Sequence, residues 1–306
     1  MPDPAMGPWC HRKVILTGEV NLFTVKVVMS MTSQPRRFDY LSWPKAEEAA
    51  KRDGSTLVWP FGACEQHGPH LPLATDNLFA EKILSRVLDR LSSELPVWML
   101  PSQLLGFSPE HSSFPGTLSL SAKLLLDLIM EIGQQASCLG FRRLLLFNAH
   151  GGQIGLLQAA ARQLKVQCPS LAVLPCFLWS GVSELKDLIP LEEREAGLHA
   201  GLGETSLMLS LAPHLVGSER PFDGEHLSSD ALATPPYGWS LEGAAPWAWL
   251  TKDLSDSGVI GDSRASTESL GKEIEHALIN HWVELLTSLL ESQWPPVEQS
   301  KNEKTL

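Results

Sequence analysis

No two cysteines of this chain are spaced as CxxC. The five that exist, Cys10, Cys64, Cys138, Cys168 and Cys176, are odd in number and scattered. That argues against a disulfide framework and for free thiols in a reducing compartment, so a cytoplasmic location is expected. Long apolar runs are also missing, and none reaches the length of a membrane helix. Basic charge is scarce: 24 Lys and Arg face 35 Asp and Glu, a net charge of −11. A surface that acidic repels nucleic acid and anionic membranes, and neither is expected as a partner. There is no internal repeat and no G-x-G-x-x-G loop for a dinucleotide. What the chain does have is core. Hydrophobic residues are 43% and charged residues 19% of 306, enough for one large α/β domain or two small ones.

Residues 1–36 are expected to be a disordered or extraneous extension. Val14-Ile15-Leu16 and Val25-Lys26-Val27-Val28 are too short and broken for a secretory apolar region. A single domain over 37–292 and a flexible charged tail over 293–306 are expected after it.

Within the domain, strand-like and helix-like stretches alternate. Short apolar runs begin at Thr56, Val97, Arg143 and Leu171. Helical periodicity follows from Asn77 (with Asp76 or Asn77 as its cap), from Ser121 to a stop at Gly140, from Gly152, and from Glu204. A last helix is expected from about Ser263, with Ser263 or Ser266 as its cap. The stretch 217–262 lacks periodicity and reads as a surface excursion covering the site. The βαβα order argues for a mostly parallel sheet with helices on both faces, a three-layer α/β/α sandwich. Such sheets bind ligands beyond the carboxyl ends of their strands.

Three polar clusters fall there. Gly62-Ala63-Cys64-Glu65-Gln66-His67-Gly68-Pro69-His70 and the nearby Asp76 set two carboxylates and an imidazole in one Gly/Pro-rich loop. Asn148-Ala149-His150-Gly151-Gly152 follows a strand, and its glycines let a substrate approach the backbone at Gly151. His199-Ala200-Gly201-Leu202-Gly203-Glu204 is the third. A set rich in carboxylate and imidazole and poor in sulfur suits zinc and its neighbours or a harder divalent ion, used for hydrolysis. Each residue also has an ordinary reading: Asp76 as a helix cap, Glu204 as a carboxylate at a helix N-terminus, His199 as a loop histidine. Ser108 and His111, in the loop after the second strand, are candidates for the substrate side. Trp179, after the fourth strand, is a candidate to stack on a flat substrate.

In order along the chain, Leu41-Ser42-Trp43-Pro44, Gly62 to Leu73, Thr75-Asp76, Glu110-His111, Phe114 to Leu120, Asn148 to Gly152, His199-Ala200-Gly201, Glu204-Thr205-Ser206 and Gly258 to Asp262 resemble the creatininase (creatinine amidohydrolase) family. The resemblance implies a layered α/β/α domain, two divalent ions per chain (zinc, manganese or iron) and a homo-oligomer, often a hexamer. By that resemblance Glu65 and His150 hold one ion, His67 the other, and Asp76 bridges them. His199 is implied as the catalytic histidine, with Ser108 at a substrate-contacting position. One departure stands out. Family members that act on creatinine carry a Tyr and a metal-binding Glu where this chain has Gly151 and Gly152. Glu204 is the expected replacement carboxylate, and the Gly-Gly form resembles a broader branch acting on other amides.

The expected activity is hydrolysis of a non-peptide C–N bond, in a cyclic amide or a formamide, by a hydroxide bridging two ions. The partner is then a small-molecule amide. Two other classes compete: a non-catalytic metal-binding protein with a degenerate site, and a thiol hydrolase built on Cys64.

Overall fold

The computed structural model describes residues 36–223, 238–241 and 244–296. Residues 1–35 of the expected extension and 297–306 of the expected tail lie outside the described residues, as do 224–237 and 242–243 of the expected excursion. Arg36 already joins the domain: its carbonyl accepts from Met99 N at 2.7 Å and its guanidinium donates to Leu95 O. At the other end, Arg143 donates to the carbonyls of Trp294 and Ser292.

The order of elements is α1 (Trp43–Ala50), β1 (Thr56–Phe61), α2 (Thr75–Arg90), β2 (Val97–Met99), α3 (Ala122–Leu139), β3 (Arg143–Asn148), α4 (Ile154–Gln167), β4 (Ala172–Phe177), the short helices α5 (Leu185–Leu188) and α6 (Leu191–Ala196), α7 (Leu202–Leu211), β5 (Phe222–Asp223), α8 (Thr251–Leu254), β6 (Gly261–Asp262) and α9 (Glu268–Glu291). The main sheet runs β2-β1-β3-β4, with every pairing parallel. β5 and β6 form a separate antiparallel pair. Pro60 sits in a central strand without breaking the ladder, because β2 pairs only as far as Met99 opposite Val58.

Side-chain alternation splits the core in two. Val58, Leu145 and Phe147 point to one face, where Phe79 and Ile83 of α2, Leu207 of α7 and Trp282 of α9 cover them. Leu57, Trp59, Phe61, Leu144 and Leu146 point to the other, under Ala50 of α1, Leu125 and Ile129 of α3 and Leu157 of α4. Strands buried on both faces read as near-continuous apolar runs, as Arg143–Asn148 does. The result is the three-layer α/β/α sandwich that the alternation predicts. No helix among the described residues is long and apolar enough to cross a membrane.

Two helix caps differ from expectation. α2 begins at Thr75 with Ala74 in the cap position, so Asp76 lies inside the first turn with its carboxylate free for other work. α9 is capped by Thr267, whose hydroxyl accepts from Leu270 N at 3.1 Å. Ser263 and Ser266 instead donate to the carbonyls of Pro221 and Leu202. Thr267→Ala is expected to lower the unfolding free energy by about 1 kcal/mol in urea titrations, the usual cost of a lost cap. Ser263→Ala would then leave the α9 cap intact.

β1 has β2 on one side and β3 on the other, so the connections diverge between β1 and β3. A crevice opens there beyond the strand ends. The loop after β1 carries Glu65 and His67, and the loop after β3 carries His150.

Candidate metal centre

The crevice holds a buried cluster of carboxylates and imidazoles. Glu65, His67, Asp76, His150 and His199 are all less than 9% exposed. Glu65 Oε1 is the hub. It lies 3.2 Å from His150 Nδ1, 3.4 Å from His111 Nε2, 3.9 Å from His199 Nδ1 and 4.0 Å from His67 Nε2. Asp76 spans two imidazoles, with Oδ1 3.4 Å from His67 Nε2 and Oδ2 3.4 Å from His150 Nδ1. Glu204 joins His67 and His199 on the far side, where their ligand atoms lie within 4.8 Å of one another.

Backbone carbonyls decide which ring nitrogens are bare. A carbonyl only accepts, so the nitrogen facing it carries the proton. His67 Nδ1–H therefore donates to Glu65 O, His150 Nε2–H to Phe107 O and His199 Nε2–H to Gln66 O. In the neutral ring the other nitrogen of each keeps its lone pair and faces the cluster. This is how proteins commonly set the tautomer of a ligating histidine. Both carboxylate oxygens of Glu65, Asp76 Oδ2 and His67 Nε2 are buried with no hydrogen-bond partner. Buried polar atoms are nearly always satisfied. Orphans converging on bare imidazole nitrogens are the donor set of a divalent cation, and the residues present fit one.

Local structure explains the placement. The Asn148 side chain closes the turn after β3 on itself: its amide donates to His150 O, and its Oδ1 accepts from His150 N and from Gln153 Nε2. Ala200, between His199 and the start of α7, takes a left-handed φ of 54°, a strained conformation for a residue with a Cβ. It brings Ala200 N onto Glu204 Oε2 at 2.6 Å. Glu193 anchors the same turn from α6, accepting from Leu202 N and Asp262 N.

Electrostatics follow from burial and crowding. Burial drives His67 down, but Asp76, Glu204 and Glu65 outweigh it and raise its pKa to about 9. Burial is likewise overcome at His150, where Glu65 and Asp76 hold the pKa well above the usual range. Burial would raise Asp76, and His67 and His150 reverse the direction. Burial pushes Glu204 up to about 7 and raises Glu110. His111 falls to about 4 chiefly through burial, and His199 drops well below its ordinary value through burial and the neighbouring His67 and His111.

A cavity of about 620 Å³ opens over the cluster. Glu65, Asp76, His150, His199 and Glu204 line it on one side, and Phe177, Trp179, Leu185, Ile189, Leu198 and Trp249 on the other. Gly151 faces it with nothing within 4 Å of where a Cβ would stand. Trp179 lines it with its ring edge-on to Phe79, 5.8 Å between centroids. Ser108, which the resemblance implies as a substrate contact, lies against His150. It is fully buried behind the cluster, its hydroxyl 3.3 Å from His150 Nε2, and it is not among the described residues lining the cavity.

Sequence reasoning misses Glu110. Its carboxylate lines the cavity with Oε1 3.5 Å from His150 Nε2, in the space that Gly152 leaves, where a Cβ would collide with it. Glu65, Glu110 and His150 form a further group able to hold an ion. The available signal was its place after β2, beside Ser108 and His111, in a loop that opens on the same sheet edge.

Residues 39–286 match the family model described as "Creatininase: Creatinine amidohydrolase". A mycofactocin precursor peptide peptidase of Mycobacterium tuberculosis is 32% identical over 242 residues, covering 74% of this chain and 83% of that one. The creatinine amidohydrolase of Pseudomonas putida is 30% identical over 199 residues, covering 60% of this chain and 74% of that one. The solved structure "Creatininase Mn" superposes with a TM-score of 0.67 at 22% identity, covering 85% of this chain and all of the other, a likeness of fold. With a family match from residue 39 to residue 286 laid over this buried cluster, the chain belongs to the creatininase family and is a hydrolase of that family.

Proposed function

We propose that this chain is a metal-dependent amidohydrolase holding two divalent ions. The observation that carries the reading is the set of buried atoms on Glu65, His67 and Asp76 that no hydrogen bond satisfies, converging on one another as the donor set of a cation would. Glu65, Asp76 and His150 would hold one ion, and His67, Asp76 and Glu204 the other, with Asp76 shared between them. Manganese and zinc are the ions named for solved creatininases. When bound, such ions polarise an amide carbonyl and make water a nucleophile near neutral pH. His199 offers a bare Nδ1 to the same space, so it takes a proton there and hands it to the leaving nitrogen. Ala200 and Glu193 keep that imidazole in place. The apolar wall around Trp179 holds the substrate and excludes water.

The substrate reading that follows from the sequence is a non-peptide amide, cyclic or formyl. A second reading, a peptide bond, is favoured by two observations: the mycobacterial relative is named a peptide peptidase, and about 620 Å³ exceeds what a small ring needs. The test is ring opening of creatinine to creatine, together with amine release from an N-formyl arylamine and from short peptides ending in apolar residues, with and without chelator. Hydrolysis of the first two, abolished by chelator, is the expected result. Cleavage of peptides alone transfers the protein to the second reading. Cys64 has its thiol 3.9 Å from Gly116 O and is not among the described residues lining the cavity, so Cys64→Ser is expected to keep full activity. Chelator-resistant turnover lost in Cys64→Ser would sink the metal reading.

A further inference from the structure

Gln66 lies between two of the residues read above as ligands, and the chemistry so far has no use for it. Its side chain is buried, and two backbone groups fix which end is which. Gly68 N–H, a donor, meets Oε1 at 2.8 Å, and Gly258 O, an acceptor, meets Nε2 at 3.1 Å. An amide oriented by one obligate donor and one obligate acceptor cannot flip without breaking both bonds. The second N–H of that Nε2 points at His111 Nδ1, 2.8 Å away. His111 Nδ1 must then be bare, because a proton there would face another N–H. Thr251 Oγ1 lies 2.7 Å from that nitrogen and 3.0 Å from Glu110 O, and with Nδ1 bare its single hydroxyl proton goes to His111. With Nδ1 bare, neutral His111, one of the residues lining the cavity, carries its proton on Nε2, 3.4 Å from Glu65 Oε1.

The same residue grips a second imidazole by the opposite chemistry. Gln66 O accepts from His199 Nε2–H at 2.7 Å, so His199 turns a bare Nδ1 toward the cluster. The two rings pack at a 30° tilt, 4.2 Å between centroids. Both are Nε2–H tautomers, yet they show the site opposite edges.

We propose that Gln66 is a positioning residue that makes His111 an N–H donor, and His199 a lone-pair bearer, at one metal cluster. His111 is then neither an ion ligand nor a proton acceptor, although distance alone groups it with Glu65 and His199 as a ligand set. Its N–H is aimed at the carbonyl oxygen or leaving nitrogen of a bound amide, complementing the bare Nδ1 of His199. The assignment of a bound amide rests on the hydrolase reading above. The tautomers do not.

Two-bond proton–nitrogen correlation spectra of the zinc-loaded protein, with 15N in the histidine rings, test this directly. His111→Gln and His199→Gln identify the two sets of signals. Expected for both rings is a protonated Nε2 and a bare Nδ1. A protonated Nδ1 on His111 overturns the proposal. Gln66→Glu puts an acceptor opposite His111 Nδ1, so His111 is expected to shift to the Nδ1–H form while His199, held by a backbone carbonyl, stays as it was. An unchanged His111 in a folded Gln66→Glu protein removes Gln66 from the role. His111→Gln keeps an N–H donor and is expected to keep the wild-type zinc content, and loss of an ion there makes His111 a ligand and overturns the proposal. A wild-type protein that takes up no zinc counts against the metal-dependent reading proposed above, and the tautomers are then read in the metal-free protein.

Discussion

Asp76→Ala protein will come off the column folded, with its bound metal lost and amide hydrolysis down on the order of 10²–10³-fold or more, the range for removing one group that holds charge at a reaction centre. The effect is large because Asp76 serves both halves of the cluster, one oxygen facing His67 and the other His150. Removing Glu65 or Glu204 empties one half, whereas removing Asp76 empties the seam. Folding should survive, since Asp76 does not cap α2. Its charge also crowds Glu204 and Glu110, both of which it pushes upward. Asp76→Asn keeps the shape and removes the charge, and should match Asp76→Ala in metal content. Elemental analysis of both variants beside wild type decides the matter. Two ions per chain in either variant would end the shared-carboxylate reading.

Residue kinds and strand ends were enough to bring this cluster into view. Glu65, His67 and His150 each follow an apolar run, and in a parallel sheet those runs must end on one edge, whatever their separation in sequence. The alternation of Val58 and Leu57, or of Leu145 and Leu144, between the two cores is likewise visible as unbroken apolar stretches. What the chain did not show in advance is direction. Asp76 reads equally well as a cap or a ligand until the first turn of α2 is placed at Thr75. Glu110 and Gly152 share one space although they are far apart in sequence, and no local pattern reports that a carboxylate from one loop fills the hole beside a glycine in another. Ser108 shows the same dependence on direction: its loop reaches the crevice, and its hydroxyl turns inward to His150. Thr267 won the α9 cap from Ser263 and Ser266 because those two hydroxyls were claimed by Pro221 and Leu202, contacts that no helix signal encodes.

Stripped of metal, the protein is expected to lose stability steadily from pH 6.5 to pH 9, and zinc is expected to restore more the higher the pH. His67, ordinarily near 6.5, holds its proton to about 9 in the folded chain, and His150 is raised in the same direction. Folding therefore binds protons across that window. The stability these two histidines lend is fully present below 6.5 and is lost as pH rises through their folded values, at about 1.4 kcal/mol per pH unit for each proton. Glu204, raised to about 7 by burial, adds loss of the same sign up to that pH, because the folded chain disfavours its charge. The opposing groups act elsewhere. His111 and His70, lowered to about 4 chiefly by burial, and His199, also lowered, destabilise only as pH falls below 6.5. The depressed Asp76 matters only further into acid. Zinc needs the same nitrogens bare, so it displaces these protons and gains roughly tenfold in affinity per pH unit for each one displaced. Urea unfolding of chelator-treated protein at half-unit steps, with and without zinc, measures both limbs. A metal-free stability that stays flat or climbs between pH 6.5 and 9 would mean that His67 and His150 are not the protonated centre of the empty site, and the cluster would have to be balanced by some other charge.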